Sequence, residues 1–239
     1  MSLRRALLVG LVLVLAGCTL PIVGNAPSYP ERPAQLNDSS VVDYVEQYET
    51  AERYRALFEN QWGIEFGCGT ATPTELDDGY FVRTLCTVTQ GPRGSNGGPP
   101  AAYFVNGSAT AKVNTGTLIE APNSTYPGGQ DTKGVTGESV YVYNFARADR
   151  SLSVTIEPVD ASAPKSRFTN STTLGGRAFV VYHFDYIRRG TYSLTGSIGD
   201  RTLSEQWQVG EPQAERNDEI GIVMTPDGRT YVVPIVSLY

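Results

Sequence analysis

From Ser139 to the C-terminus the chain is a series of short alternating runs broken by turn residues. That texture constrains the fold more than any other feature, because a period of two buries one side of a strand and wets the other. Tyr141-Val142-Tyr143 is the first run. Ser151 to Ile156 sets Leu152, Val154 and Ile156 on one face, and Ala178 to Tyr186 does the same with Val180, Tyr182, Phe184 and Tyr186. Thr191 to Ile198 turns Tyr192, Leu194 and Ile198 inward and Thr191, Ser193, Thr195 and Ser197 outward. Leu203 to Val209 buries Leu203, Trp207 and Val209. Ile220 to Met224 and Tyr231 to Val236 flank Pro226-Asp227-Gly228, a hairpin turn whose strands could belong to this unit or return to the preceding one.

Seven strands in about 100 residues predict a β-sandwich over 138–239, of immunoglobulin-like type. Gly190-Thr191-Tyr192-Ser193-Leu194 resembles the tyrosine corner of such folds. Leu194 stands where an antibody domain has its second cysteine, and Arg188 where the motif usually has an acid. With no inter-sheet disulfide, the core must rest on aliphatic and aromatic packing, Trp207 included.

The preceding region reads as a small α+β domain over 39–118. Ser40 to about Asn60 is a helix, with Ser40 as its cap and Asp43 three residues on. Val41, Tyr44, Val45, Tyr48, Ala51 and Phe58 form its apolar stripe, with Glu46, Glu49, Glu52 and Arg53 mostly away from it. Strands are expected from Ile64 to Thr72, Tyr80 to Thr89 and Ala101 to Val113. Residues 90–100, rich in Gly and Pro, cannot hold a helix or a central strand and lack the Gly-Lys-Ser/Thr ending of a phosphate-binding loop. Residues 119–137, rich in Gly, Pro, Asn, Ser and Thr, are the expected linker.

The N-terminus carries an address. Arg4 and Arg5 precede an apolar block that closes on Leu15-Ala16-Gly17-Cys18. This layout is that of an export signal, and its end resembles the lipobox of lipoproteins. The resemblance implies that residues 1–17 are removed and that Cys18 carries lipid. The block of about ten residues is short for an uncleaved span, which needs about 20. Arg4-Arg5-Ala6-Leu7-Leu8 also resembles a twin-arginine signal, with Leu3 where that motif favours Ser or Thr, so both export routes stay open. Residues 18–38 contain Pro21, Pro27, Pro30 and Pro33 and read as an extended tether. In an oxidising compartment the remaining pair, Cys68 and Cys86, defaults to a disulfide. A hairpin centred on Leu76-Asp77-Asp78-Gly79 would bring the two opposite each other.

The formal net charge is −6, about −8 without Arg4 and Arg5, which argues against nucleic acid and anionic membrane as partners. Lysine occurs only at 112, 133 and 165. A low-lysine, acidic, Thr- and Gly-rich chain resembles haloarchaeal proteins, and an ordinary acidic extracellular protein has the same features. Leu15 to Cys18, the repeated tyrosines of Val41 to Tyr54, and Ser139-Val140-Tyr141-Val142-Tyr143-Asn144 together resemble haloarchaeal-type surface lipoproteins. That resemblance implies a location outside the cell membrane and a fold, not an activity.

Little in the chain carries chemistry. The single histidine, His183, shares a strand face with Asp185, a pair that could orient a general base, but no nucleophile or Gly-x-Ser-x-Gly elbow accompanies it. Asp77-Asp78 and Asp218-Glu219 read as solvated carboxylates. Two cysteines with one histidine do not make a zinc site, and no calcium loop or copper set is present, so no metal or cofactor is expected. Asn37, Asn106, Asn123 and Asn170 head Asn-x-Ser/Thr sequons and are glycosylation candidates, with Asn37 and Asn123 in expected linkers. The expectation is a lipid-anchored surface protein, not an enzyme, with a binding or structural role toward a surface protein or small molecule. A solute-binding accessory of a transporter and an exported hydrolase using His183 are the alternatives.

Overall fold

The computed structural model describes residues 27–58, 64–90, 95–97, 100–120, 135–159, 167–188, 190–209 and 219–235. The chain is mostly β, with one helix and several sheets among these residues. Helix α1 runs Asp38–Phe58. It starts two residues before the expected cap, because Asn37 is the better one. The Asn37 Oδ1 accepts from the Ser40 amide at 3.0 Å while the Ser40 Oγ accepts from the Asn37 amide at 3.0 Å. This reciprocal pair satisfies two donors that the first turn would leave orphaned. The residues before it do not all stand clear as a tether. Tyr29 packs on Tyr48 with ring centroids 4.9 Å apart, and Arg55 lies over the Tyr29 ring.

Six strands build the first sheet: β1 (Ile64–Thr70), β2 (Thr74–Leu76), β3 (Gly79–Gln90), β4 (Ser95–Gly97), β5 (Ala101–Val105) and β6 (Thr110–Val113). The cysteine hairpin forms as expected. Cys68 and Cys86 are direct partners in the β1–β3 register and are joined by a disulfide. The single strand expected over 101–113 is two, because Asn106 turns the chain. Its Oδ1 accepts from the Ser108 and Ala109 amides at 3.0 and 2.7 Å. Tyr80 and Val82 of β3, with Tyr103 and Val105 of β5, face Val41, Tyr44 and Val45 of α1. Phe81, Ala102 and Phe104 face the other way into a second core. Both faces of β3 and β5 are covered, so neither strand shows the wet side that period-two reading looks for.

Strand β7 (Thr115–Glu120) follows β6 after Asn114 alone, so the boundary placed at 118 falls inside a strand. It runs parallel to β11 (Ala178–Arg188) in a five-stranded sheet ordered β15-β14-β8-β11-β7. The other members are β8 (Val135–Asn144), β14 (Glu219–Met224) and β15 (Thr230–Ile235). The last hairpin thus belongs to this sheet, with Gly228 in its turn at φ 87°, a left-handed conformation that suits glycine. A four-stranded sheet ordered β10-β9-β12-β13 packs on one face, from β9 (Arg150–Pro158), β10 (Phe168–Leu174), β12 (Gly190–Ile198) and β13 (Arg201–Val209). Val140, Val142, Val180, Tyr182 and Phe184 meet Leu152, Val154, Ile156, Leu194 and Trp207 there. A bulge after Phe184 shifts the register, so Ile187 takes the next buried place on β11, while the Tyr186 side chain lies outside the described ones.

The opposite face of the five-stranded sheet packs Tyr143, Phe145, Val223, Val233 and Ile235 against the first sheet. The layers therefore run helix, six-stranded sheet, five-stranded sheet, four-stranded sheet. Among the described residues no helix is long and apolar enough to cross a membrane.

Candidate ligand-binding cleft

Alternate residues of three neighbouring strands face the first sheet, and their character changes along the strands. On β8 the series is Ser139, Tyr141, Tyr143; on β11 it is His183, Val181, Phe179; on β14 it begins with Glu219 and reaches Val223. The registers pair His183 with Ser139, Val181 with Tyr141 and Phe179 with Tyr143. Ile220 pairs with Val140, which sets Glu219 beside Ser139. One end of the face is a polar row and the other an aromatic one. The first sheet packs on the aromatic end. Toward the polar row the two sheets enclose a cavity of about 620 Å³.

Arg83, Leu85, Pro100 and Ala102 of the first sheet form one wall, and Leu118, Tyr141, Phe179, Val181, His183 and Glu219 the other. Leu118 projects from β7 with 60% of its surface exposed. The Phe179 ring lies over Gly116, where an added Cβ would come within 2.4 Å of it, so the glycine makes room for that wall.

Three polar contacts organise the inner end. The Arg83 guanidinium sits 4.7 Å from the centre of the Tyr141 ring, a cation–π arrangement. The Tyr141 hydroxyl donates to Glu219 Oε1 at 3.2 Å. Ser139 Oγ and His183 Nδ1 lie 3.0 Å apart. Burial pushes the Glu219 carboxyl above its usual value, and Arg83, the Tyr141 hydrogen bond and His183 only partly offset this. Burial, then the neighbouring Glu219, raises the Tyr141 hydroxyl.

His183, singled out by the sequence, gains a neighbour that strand spacing alone does not supply. Its hydrogen-bonded partner Ser139 comes from the adjacent strand, while the Asp185 side chain lies outside the described ones. Glu219, taken for a solvated carboxylate, is half-buried against Tyr141, and Asp218 lies outside the described residues. Asp78 is likewise engaged, accepting from the Tyr231 hydroxyl at 3.2 Å. Arg83, Tyr141 and Leu118 were not marked as a site. The sequence carries a signal for Arg83 alone, the failure of β3 to show a polar face.

Of the sequon asparagines, Asn37 caps α1, Asn106 holds the β5–β6 turn and Asn170 accepts from the Tyr182 hydroxyl at 3.3 Å. Asn123 and the lipidation candidate Cys18 lie outside the described residues. Among the described residues no three of His, Cys, Asp and Glu gather as a metal-binding group.

Another group outside the cleft departs from expectation. Glu49, placed away from the apolar stripe, has a side chain with no exposure. It lies one turn beyond Val45, which puts it on the buried face. Arg53 Nε donates to it at 2.6 Å, and Lys112 and the Tyr103 hydroxyl also bond it.

No family model matches the chain, and neither does any curated protein or solved structure.

Proposed function

We propose that this chain is a lipoprotein held by Cys18 at the outer face of the cell membrane, and that its cleft binds a small solute without transforming it. The cavity between the two sheets carries this reading. It combines an apolar wall with a few convergent polar groups, Arg83, Tyr141, Ser139, His183 and Glu219, and its volume falls in the range of small-molecule sites. This favours the solute-binding alternative over a purely structural role. The acidic surface supports a small molecule or a protein as partner rather than nucleic acid. The sandwich is read as immunoglobulin-like: β8 pairs with β11 and β9 with β12, as strands B with E and C with F do, and β12 pairs with β13 as F with G. In that correspondence Tyr192 stands near the start of strand F, the place of the tyrosine corner. The test is native mass spectrometry of protein purified gently from its own host, beside a Cys18→Ser variant. Lipid on Cys18, loss of anchoring in the variant and a co-purifying small molecule are expected. A variant that stays in the membrane refutes the anchor, and a cleft that yields no ligand under any purification refutes solute binding.

The Ser139–His183 contact favours a second reading, an exported hydrolase. The fold weighs against it. Ser139 lies within β8, which is bonded on both sides by β11 and β14, and not on a loop or helix start that would aim amide donors at a developing oxyanion. Labelling of Ser139 by a fluorophosphonate would establish the hydrolase; an unlabelled protein would remove it.

A further inference from the structure

The cleft presents both signs of charge at the end of an apolar slot. Arg83 and Glu219 line the same cavity, one from the first sheet and one from β14, each beside the Tyr141 side chain. Leu85, Leu118, Phe179 and Val181 supply the apolar wall. A ligand head with only negative charge would meet Glu219 unfavourably, and one with only positive charge would meet Arg83. A head that carries both charges satisfies both groups. The guanidinium has five N–H donors, so it can serve a ligand carboxylate along with other partners.

Resting on the reading of this cavity as a binding site, we infer that its ligand is a small zwitterion with an apolar body, of the class of the neutral α-amino acids with large side chains. The ligand carboxylate lies toward Arg83, its ammonium toward Glu219, and its side chain along Leu118, Phe179 and Val181. Ser139 and His183 remain within reach as hydrogen-bonding partners at the floor. The burial that raises Glu219 supports this arrangement, since an ammonium would offset the cost of its charge.

The test uses the full chain with Cys18→Ser and changes the ligand one charge at a time. L-phenylalanine, N-acetyl-L-phenylalanine and L-phenylalanine amide are titrated by calorimetry. Loss of the ammonium or of the carboxylate is expected to weaken binding by about tenfold or more, as for one charge-assisted hydrogen bond. Glu219→Gln should weaken phenylalanine and strengthen the N-acetyl compound, whose lone negative charge then no longer meets a carboxylate. Equal affinity for all three compounds, or sensitivity to one charge only, overturns the zwitterion. Nile red, a neutral apolar dye, separates this failure from that of the cleft itself. If the dye binds, Leu118→Asp abolishes its binding, and phenylalanine does not displace it, the cleft takes apolar ligands and the zwitterion is wrong. If neither dye nor amino acid binds, or Leu118→Asp has no effect on either, the cavity is not a binding site and both readings fall.

Discussion

Substituting Glu49→Gln should destabilise the protein through a defined mechanism. The Glu49 carboxylate has no exposure and receives Arg53, Lys112 and the Tyr103 hydroxyl. An amide of the same size has one acceptor oxygen and brings two donors of its own into a site already full of donors. Removing one partner of a buried ion pair costs about 3–5 kcal/mol. The lower end applies here, because Lys112 keeps its second carboxylate, Glu52. A loss of about 3 kcal/mol lowers the melting temperature by roughly 6–12 °C in a chain of this size. The assay is denaturant and thermal unfolding with the disulfide intact. The pH dependence adds a second readout. Burial would raise Glu49, but the hydrogen bonds from Lys112, Tyr103 and Arg53 outweigh it and hold the carboxyl below its usual 4.5. Its contribution is therefore complete above that value and is lost as pH falls through the lowered folded value. The variant should lack this acid slope. The difference should also persist in molar salt, where exposed pairs are screened but buried ones are not. A loss under about 1 kcal/mol, or one that salt removes, refutes the buried network as a stabilising unit.

Glu219 has the opposite sign. Burial raises its carboxyl, so its contribution is present below the usual 4.5 and is lost as pH rises through the raised folded value. Glu219→Gln should match the parent in acid and exceed it at neutral pH in denaturant midpoint; equal stability at neutral pH contradicts this. Replacing Cys68 and Cys86 together by Ala releases a cross-link of sequence separation 18 and should cost about 3 kcal/mol in the chain-entropy model, read by denaturant unfolding. Asn144 is fully buried and donates to the Ala148 and Gly175 carbonyls at 3.0 Å while accepting from the Ala146 amide. Asn144→Ala should cost about 2–4 kcal/mol by leaving these groups unmet, and a smaller loss would mean that water replaces the side chain. A chain of residues 135–239 alone would expose Tyr141, Tyr143, Phe145, Val223 and Val233 as one patch, and should aggregate or bind apolar dyes; a monomer with native melting behaviour would show that the halves fold independently.

Much of the architecture could be read from period and punctuation. The helix, the cysteine hairpin, and strands β8, β9 and β11 to β15 all announced themselves by alternation or turn residues. Strand β10 did not, because Phe168 and Leu174 stand at its ends and only Thr, Asn and Ser lie between. Strand β7 did not either: its residues are almost all exposed, and its place is set by pairing with β11 rather than by a buried face. Glu49 was misplaced because a charged residue on a helix is read as wet by default, and only Lys112, far along the chain, reverses that. The cleft was illegible for the same reason. Arg83, Leu118, Ser139, His183 and Glu219 come from five strands and meet only once register and layer order are known.

The position of the cleft nevertheless follows from the chain's own pattern. On β8, β11 and β14 the second face turns from aromatic and aliphatic to polar at the same end, where Ser139, His183 and Glu219 stand side by side. Covering the aromatic end with the first sheet removes apolar surface from water, which drives the packing of Phe81 and Phe104 on Tyr143 and Phe145. Extending that cover over the polar row would further desolvate the half-buried Glu219 carboxylate and His183 imidazole, at a cost of several kcal/mol. The two sheets can therefore pack closely at one end only. The opening at the other end is the cheapest arrangement of a face whose alternate residues change character midway, and it leaves Arg83 and Glu219 facing the same space.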